Sequence, residues 1–104
     1  MGLTKQVWIG LVEVIPSPND KTFQGDKGAY VNVLAWVASA SEYRTQVKQA
    51  ADQCDMDVEK ISDVEPFAKR LQAYRVHKSL IRLAEQVKKK QCVRFNTFYT
   101  YPSK

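Results

Sequence analysis

Two stretches near the start of the chain are apolar at successive positions, not at alternate ones. Val7-Trp8-Ile9-Gly10-Leu11-Val12-Glu13-Val14-Ile15 holds one charge, and Gly28-Ala29-Tyr30-Val31-Asn32-Val33-Leu34-Ala35-Trp36-Val37-Ala38-Ser39 holds none. Successive side chains of a strand point to opposite faces. In the second stretch one face therefore carries Tyr30, Asn32, Leu34, Trp36 and Ala38, and the other Ala29, Val31, Val33, Ala35 and Val37. In the first, Val7, Ile9, Leu11 and Ile15 share a face with Glu13, and Trp8, Gly10, Val12 and Val14 make the other. Neither stretch has a face that water would wet, so both are expected to be central strands with cover on two sides.

Between them, Pro16 to Lys27 carries two prolines with Asn19, Asp20 and Gly25, and is expected to be a loop with Phe23 as a possible apolar anchor. After the second strand, Ser39-Ala40-Ser41-Glu42 fits a capping box, with Ser39 as N-cap and Glu42 at N3. The helix it opens shows Tyr43, Val47, Ala50/Ala51 and Cys54 on one stripe, and stops near Cys54-Asp55. Asp57–Val64 is expected to be a third strand, charged enough to suit a sheet edge. Pro66 begins a helix with Phe67, Leu71 and Tyr74 on one face. The next apolar set, Leu80, Leu83, Ala84 and Val87, lies round the other side of that helix, which predicts a break near Arg75-Val76-His77 and a second helix over Lys78–Lys90. Cys92–Tyr101, aromatic and β-branched, completes the set as a strand.

The expected fold is α+β in the order β-β-α-β-α-α-β, one domain over residues 1–104. The expectation is a two-layer sandwich, a small mixed β-sheet with its helices packed on one face, ferredoxin-like in style. With helix enough for one face only, the other face is expected to be covered by a second copy or another partner.

Composition bounds the possibilities without naming a function. A chain of 104 residues, 44% hydrophobic and 26% charged, is ordinary for a folded globular domain. No apolar run is long enough to span a membrane. The first residues show no signal-peptide pattern, and Met1-Gly2 is followed by Gln6 where a myristoylation motif wants Ser or Thr. Cys54 and Cys92 stand far apart, and two reduced packing cysteines in a cytoplasmic protein are expected. One His with two scattered Cys makes no metal-ligand set, and no cofactor signature is present. The net charge of +5 is unevenly spread. Residues 1–64 hold six Lys/Arg against nine Asp/Glu, and residues 65–104 hold ten against two, so the C-terminal half forms a basic pole.

Candidate chemistry is sparse. Glu13 stands within an apolar strand, where a carboxylate must be paired or neutralised. Its expected partners are Arg94, Asn32 and Tyr30. A cleft built from Glu13, Tyr30, Asn32, Trp36 and Arg94 is the candidate ligand or partner site. His77, the only histidine, falls at the predicted helix break and is expected to be a surface or capping residue. No nucleophile or orienting acid is visible beside it, so no catalytic residue is assigned.

The basic pole supplies a second candidate, a nucleic-acid surface made by Lys78, Arg82, Lys88, Lys89, Lys90 and Arg94 with Phe95. Over eight residues, Arg94 to Tyr101 resembles the aromatic strand of RNA-recognition motifs, which implies rings that stack on bases. It lacks that motif's glycine and falls on the last strand. The expected function is a small non-enzymatic protein- or ligand-binding module, a homodimer through an apolar sheet face. Nucleic-acid binding is the alternative, and an enzyme using Glu13 with Arg94 or His77 the third reading.

Overall fold

The computed structural model describes residues 4–16 and 26–102. The loop centred on Phe23 and the Met1-Gly2 terminus lie outside the described residues. The elements are β1 (Gln6–Pro16), β2 (Asp26–Val37), α1 (Ala40–Gln53), β3 (Met56–Pro66), α2 (Phe67–Ala73), α3 (Lys78–Lys90) and β4 (Val93–Pro102). The four strands form one sheet in the order β3-β1-β2-β4, so the two apolar stretches do occupy its centre.

Every neighbouring pair is antiparallel, which corrects the expectation of a mixed sheet. Parallel character survives only at one remove. β2 and β3 both run against β1 and are therefore parallel to each other, with α1 carrying the chain across β1 between them.

The helices pack on both faces, not on one. On the front face Tyr43, Val47 and Ala51 of α1 pack with Val12, Val14, Ala29, Val31, Val33, Ala35 and Val37. On the back face Phe67 of α2 with Ala84 and Val87 of α3 pack against Ile9 and Leu34, and Leu80, Leu83 and Val76 close around them. Neighbours along one strand serve opposite cores, as Val33 and Leu34 do, which is why β1 and β2 read as apolar throughout. The presumed shortage of helix disappears because α2 and α3 must run from one sheet edge, β3, to the other, β4, and lie across the back on the way.

Local signals set the helix ends. Ser39 Oγ accepts the Glu42 N–H at 3.1 Å, and Glu42 Oε1 accepts the Ala38 N–H at 2.7 Å, a capping box displaced by one residue on its return arm. His77 caps α3, its Nδ1 accepting the Ser79 N–H at 3.0 Å. The chain between α2 and α3 is non-helical from Tyr74 to His77. Cys54 is not on the packed stripe of α1. It is the exposed C-cap, and both Cys54 and Cys92 are free thiols. The expected apolar face of α2 is also only partly used: Phe67 is buried, while Leu71 and Tyr74 are 45% and 65% exposed.

The ladders are irregular at two places that matter below. Leu11 pairs with Ser62 and Ile9 with Glu65, so Gly10 faces the extra residues Asp63 and Val64, with Asp63 at φ 55°. Val31 pairs with Phe98 and Val33 with Phe95, so Asn32 faces both Asn96 and Thr97.

Candidate functional site

α2 and α3 cover the back face only at the Gln6/Val37 end of the central strands, and they do not close on each other. Between them lies a groove of about 480 Å³. Its floor is Trp36 and its cross-strand partner Val7; its walls are Phe67, Ala68 and Leu71 from α2 and Ile81 and Ala84 from α3. Lys5, Gln6, Glu85 and Lys88 complete the lining with polar groups. The pattern that builds it is the one that predicted the helix break. Because the apolar stripe turns between α2 and α3, Leu71 and Ile81 are left facing the gap instead of the sheet.

At the hairpin end no helix among the described residues lies over the back face, and its side chains there are half-buried or exposed. A smaller cleft of about 190 Å³ lies there, lined by Leu11, Glu13, Tyr30, Lys60 and Ser62. Glu13 stands directly opposite Tyr30 on β2 and opposite Lys60 on β3, and Asn32 stands opposite Leu11. The structure thus brings Glu13, Tyr30 and Asn32 together. Trp36 and Arg94 share their face but not their site. Arg94 is opposite Leu34, four residues along β2 from Tyr30, which is about 13 Å at the rise of a strand. Lys60 and Ser62 take the place expected of Arg94. They come from β3, whose position beside β1 no local pattern announces.

The basic residues divide as well. On α3, Lys78, Arg82 and Lys89 form one exposed stripe opposite the buried Ala84 and Val87 and the half-buried Leu80 and Leu83. Lys88 turns toward the groove, and Lys90 lies on the other flank. Arg94 is on the back face with them. Phe95 is not: it packs into the front core beside Phe98, ring centroids 6.0 Å apart. The sheet stands between that ring and the lysines.

Among the described residues, no group of three or more His, Cys, Asp or Glu is placed to hold a metal ion, and no helix is long and apolar enough to cross a membrane. His77 is exposed, its Nδ1 accepting the Ser79 N–H at 3.0 Å and lying 2.9 Å from the Ser79 hydroxyl. Among the described residues, the strongly shifted ionisable group is Tyr43, whose hydroxyl is raised well above its ordinary value of 10.0 by burial, against a smaller opposing pull from Arg70 and Arg44. It donates to the Val33 carbonyl at 2.6 Å and is part of the core.

No family model matches the chain, and neither the curated proteins nor the solved structures contain a significant match to it.

Proposed function

We propose that the protein is a non-enzymatic binding module that receives an apolar part of a protein or small ligand in the groove between α2 and α3. One observation carries this reading: Leu71, 45% exposed, and Ile81, 37% exposed, look across a concavity floored by Trp36. Large apolar side chains left to water on a convex surface are ordinary, but gathered around a hollow they mark a place that something fills. The polar groups at the rim would orient the ligand, and the apolar floor would supply most of the affinity. Self-association belongs to the same reading, on a different surface from the one first expected. Helices cover much of both sheet faces, and the sheet's edges offer a second copy another surface.

The test is titration of the protein with an apolar fluorescent dye and then with a panel of hydrophobic peptides, read through Trp36. Leu71→Ser with Ile81→Ser should abolish the response while thermal unfolding stays in place. A wild-type protein that binds neither better than this double variant would sink the reading.

A second reading has its own observation, the row of Lys78, Arg82 and Lys89 on the outer face of α3. A polyanion held there would be retained on heparin with a steep salt dependence, and replacing the three by Gln would flatten the slope by roughly the number of phosphate contacts removed. Unchanged elution of that triple variant would dispose of it.

A further inference from the structure

The two edges of the sheet are built differently. β3 carries Asp57, Glu59, Lys60, Asp63 and Glu65 among its eleven residues, with two irregularities against β1. Charge and bulges of this kind keep other strands from adding to an edge. β4 has Arg94 as its one charge in ten residues, and the rest of Val93-Arg94-Phe95-Asn96-Thr97-Phe98-Tyr99-Thr100-Tyr101-Pro102 is rich in aromatic and β-branched types. Among the described residues its outer edge has no strand beside it.

Incomplete cover coincides with that open edge. On the front face α1 lies mainly over β3 and β2, so Val93, Phe95 and Phe98 pack on the core yet stay only half-buried. On the back face Tyr99 is 60% exposed. Unpaired backbone and partly wetted apolar rings thus occur along one line.

We propose that a second copy of this chain fills that line, its β4 pairing antiparallel with this β4 to make one continuous eight-stranded sheet. The proposal deepens the binding-module reading in its self-association alone and leaves the groove free for its ligand. A two-fold axis perpendicular to the sheet keeps front with front and back with back, so each residue must meet one from its own face. The regular run of β4 lies between the bulge at Asn96-Thr97 and Pro102. Same-face pairing allows the axis at Tyr99 or Thr100, the two central residues of that run, and the largely exposed ring of Tyr99 selects the first, where it is covered by its counterpart in the second copy. Charge agrees with this register. The two Arg94 side chains are then eight strand positions apart, about 26 Å, beyond effective repulsion at physiological salt. The net +5 of each copy still opposes association, so raising salt should tighten the dimer, whereas polyanion binding would weaken.

Sedimentation and light scattering of the wild-type chain should give a mass near twice 11.9 kDa at concentrations of about 100 μM, with a dissociation constant raised at least about tenfold by Thr97→Lys or Tyr99→Lys. In a Cys54→Ser, Cys92→Ser background, Tyr99→Cys should oxidise rapidly to a covalent dimer, because directly opposed residues of an antiparallel pair have disulfide-compatible Cα separations. Tyr74→Cys, equally exposed but remote, is the control. A monomer at that concentration overturns the proposal. So does a dimer that neither Lys variant weakens, or cross-linking at Tyr99→Cys no faster than at Tyr74→Cys. Should Leu71→Ser with Ile81→Ser dissolve the dimer instead, the edge is wrong while the groove stands. Loss of dye binding by a protein that still dimerises would show the reverse.

Discussion

The ring of Tyr43 lies against Gly10, so close that a Cβ built on the glycine would stand 2.7 Å from the hydroxyl oxygen and 2.9 Å from Cε1. Gly10 faces Val33 across the central ladder, and the Tyr43 hydroxyl reaches over it to donate to the Val33 carbonyl. The β2–β4 ladder is irregular beside that carbonyl, between Val31 and Val33, and there it accepts a hydrogen bond from the side chain of α1. A single tyrosine thus fixes how deeply the helix sits on the sheet.

Gly10→Ala should be costly although it adds one methyl group. The obstruction is a buried ring held by its own hydrogen bond, not a side-chain tip that can swing away, so the helix or the strand must shift. The expected loss is about 1–3 kcal/mol, the usual range for overpacking. Urea unfolding should show it as a lowered midpoint at unchanged slope. Because the nearest atom is the hydroxyl, the same substitution in Tyr43→Phe should cost less than in the wild type. Equal costs in the two backgrounds would show that the hydroxyl is not the obstacle.

Tyr43 also predicts an alkaline limit. Its hydroxyl is raised above 10.0 in the folded chain, chiefly by burial, and returns to the ordinary value on unfolding. Below that value both states hold the proton and the contribution to stability is complete. Above it the unfolded chain ionises and the folded chain does not, so stability falls by up to about 1.4 kcal/mol per pH unit from this group. Tyr43→Phe should lose about 1–2 kcal/mol at neutral pH, from the buried hydrogen bond it removes, but show a shallower decline above pH 10. Phenolate absorbance supplies an independent check, since one of the five tyrosines should titrate only as the protein unfolds.

The cap of α1 is a third point of leverage. Ser39→Ala removes the acceptor of the Glu42 N–H and should cost about 1 kcal/mol. Glu42→Gln keeps an acceptor for the Ala38 N–H but removes the negative charge from the helix N-terminus, and should cost about 0.3–1 kcal/mol. The two share one turn of chain, so their effects should fall short of additive in a double-mutant cycle.

This cap was readable from four consecutive residues, and the break at Arg75-Val76-His77 from the swing of an apolar stripe. Both are local. The apolar runs of β1 and β2 likewise announced central strands covered on two sides. What covers them could not be read, because period-two alternation says which residues share a face but not which strand lies beside which. That gap accounts for the misplaced helices and for the residue that stands opposite Glu13 on β3. Lys60 lies 47 residues from it in sequence, and only the position of β3 next to β1 brings them together. The stripe on α2 failed for a related reason: Leu71 follows the helical period correctly but looks into a gap that exists only because α3 lies apart from α2.

Arg70 offers the sharpest test of how the bulge in β3 is held. Its Nε meets Glu65 Oε2 at 2.6 Å, and its NH2 group donates to the Asp63 carbonyl at 2.8 Å. Asp63 is the residue with φ 55°, a left-handed conformation that costs most residues about 1–2 kcal/mol and aspartate somewhat less. The guanidinium of α2 therefore ties down the strained residue and its neighbour at once, with both ion-pair side chains mostly shielded (17% and 22% exposed). Arg70→Ala should cost about 1–2 kcal/mol, and Arg70→Lys should recover little of it, because an ammonium cannot reproduce two directed bonds from one planar group. Asp63→Gly should be neutral or stabilising by up to about 1 kcal/mol, since glycine takes that φ without strain. In its presence Arg70→Ala should become cheaper, as the carbonyl it holds belongs to a residue that no longer resists. A coupling energy of zero between the two positions would mean that Arg70 acts on Glu65 alone.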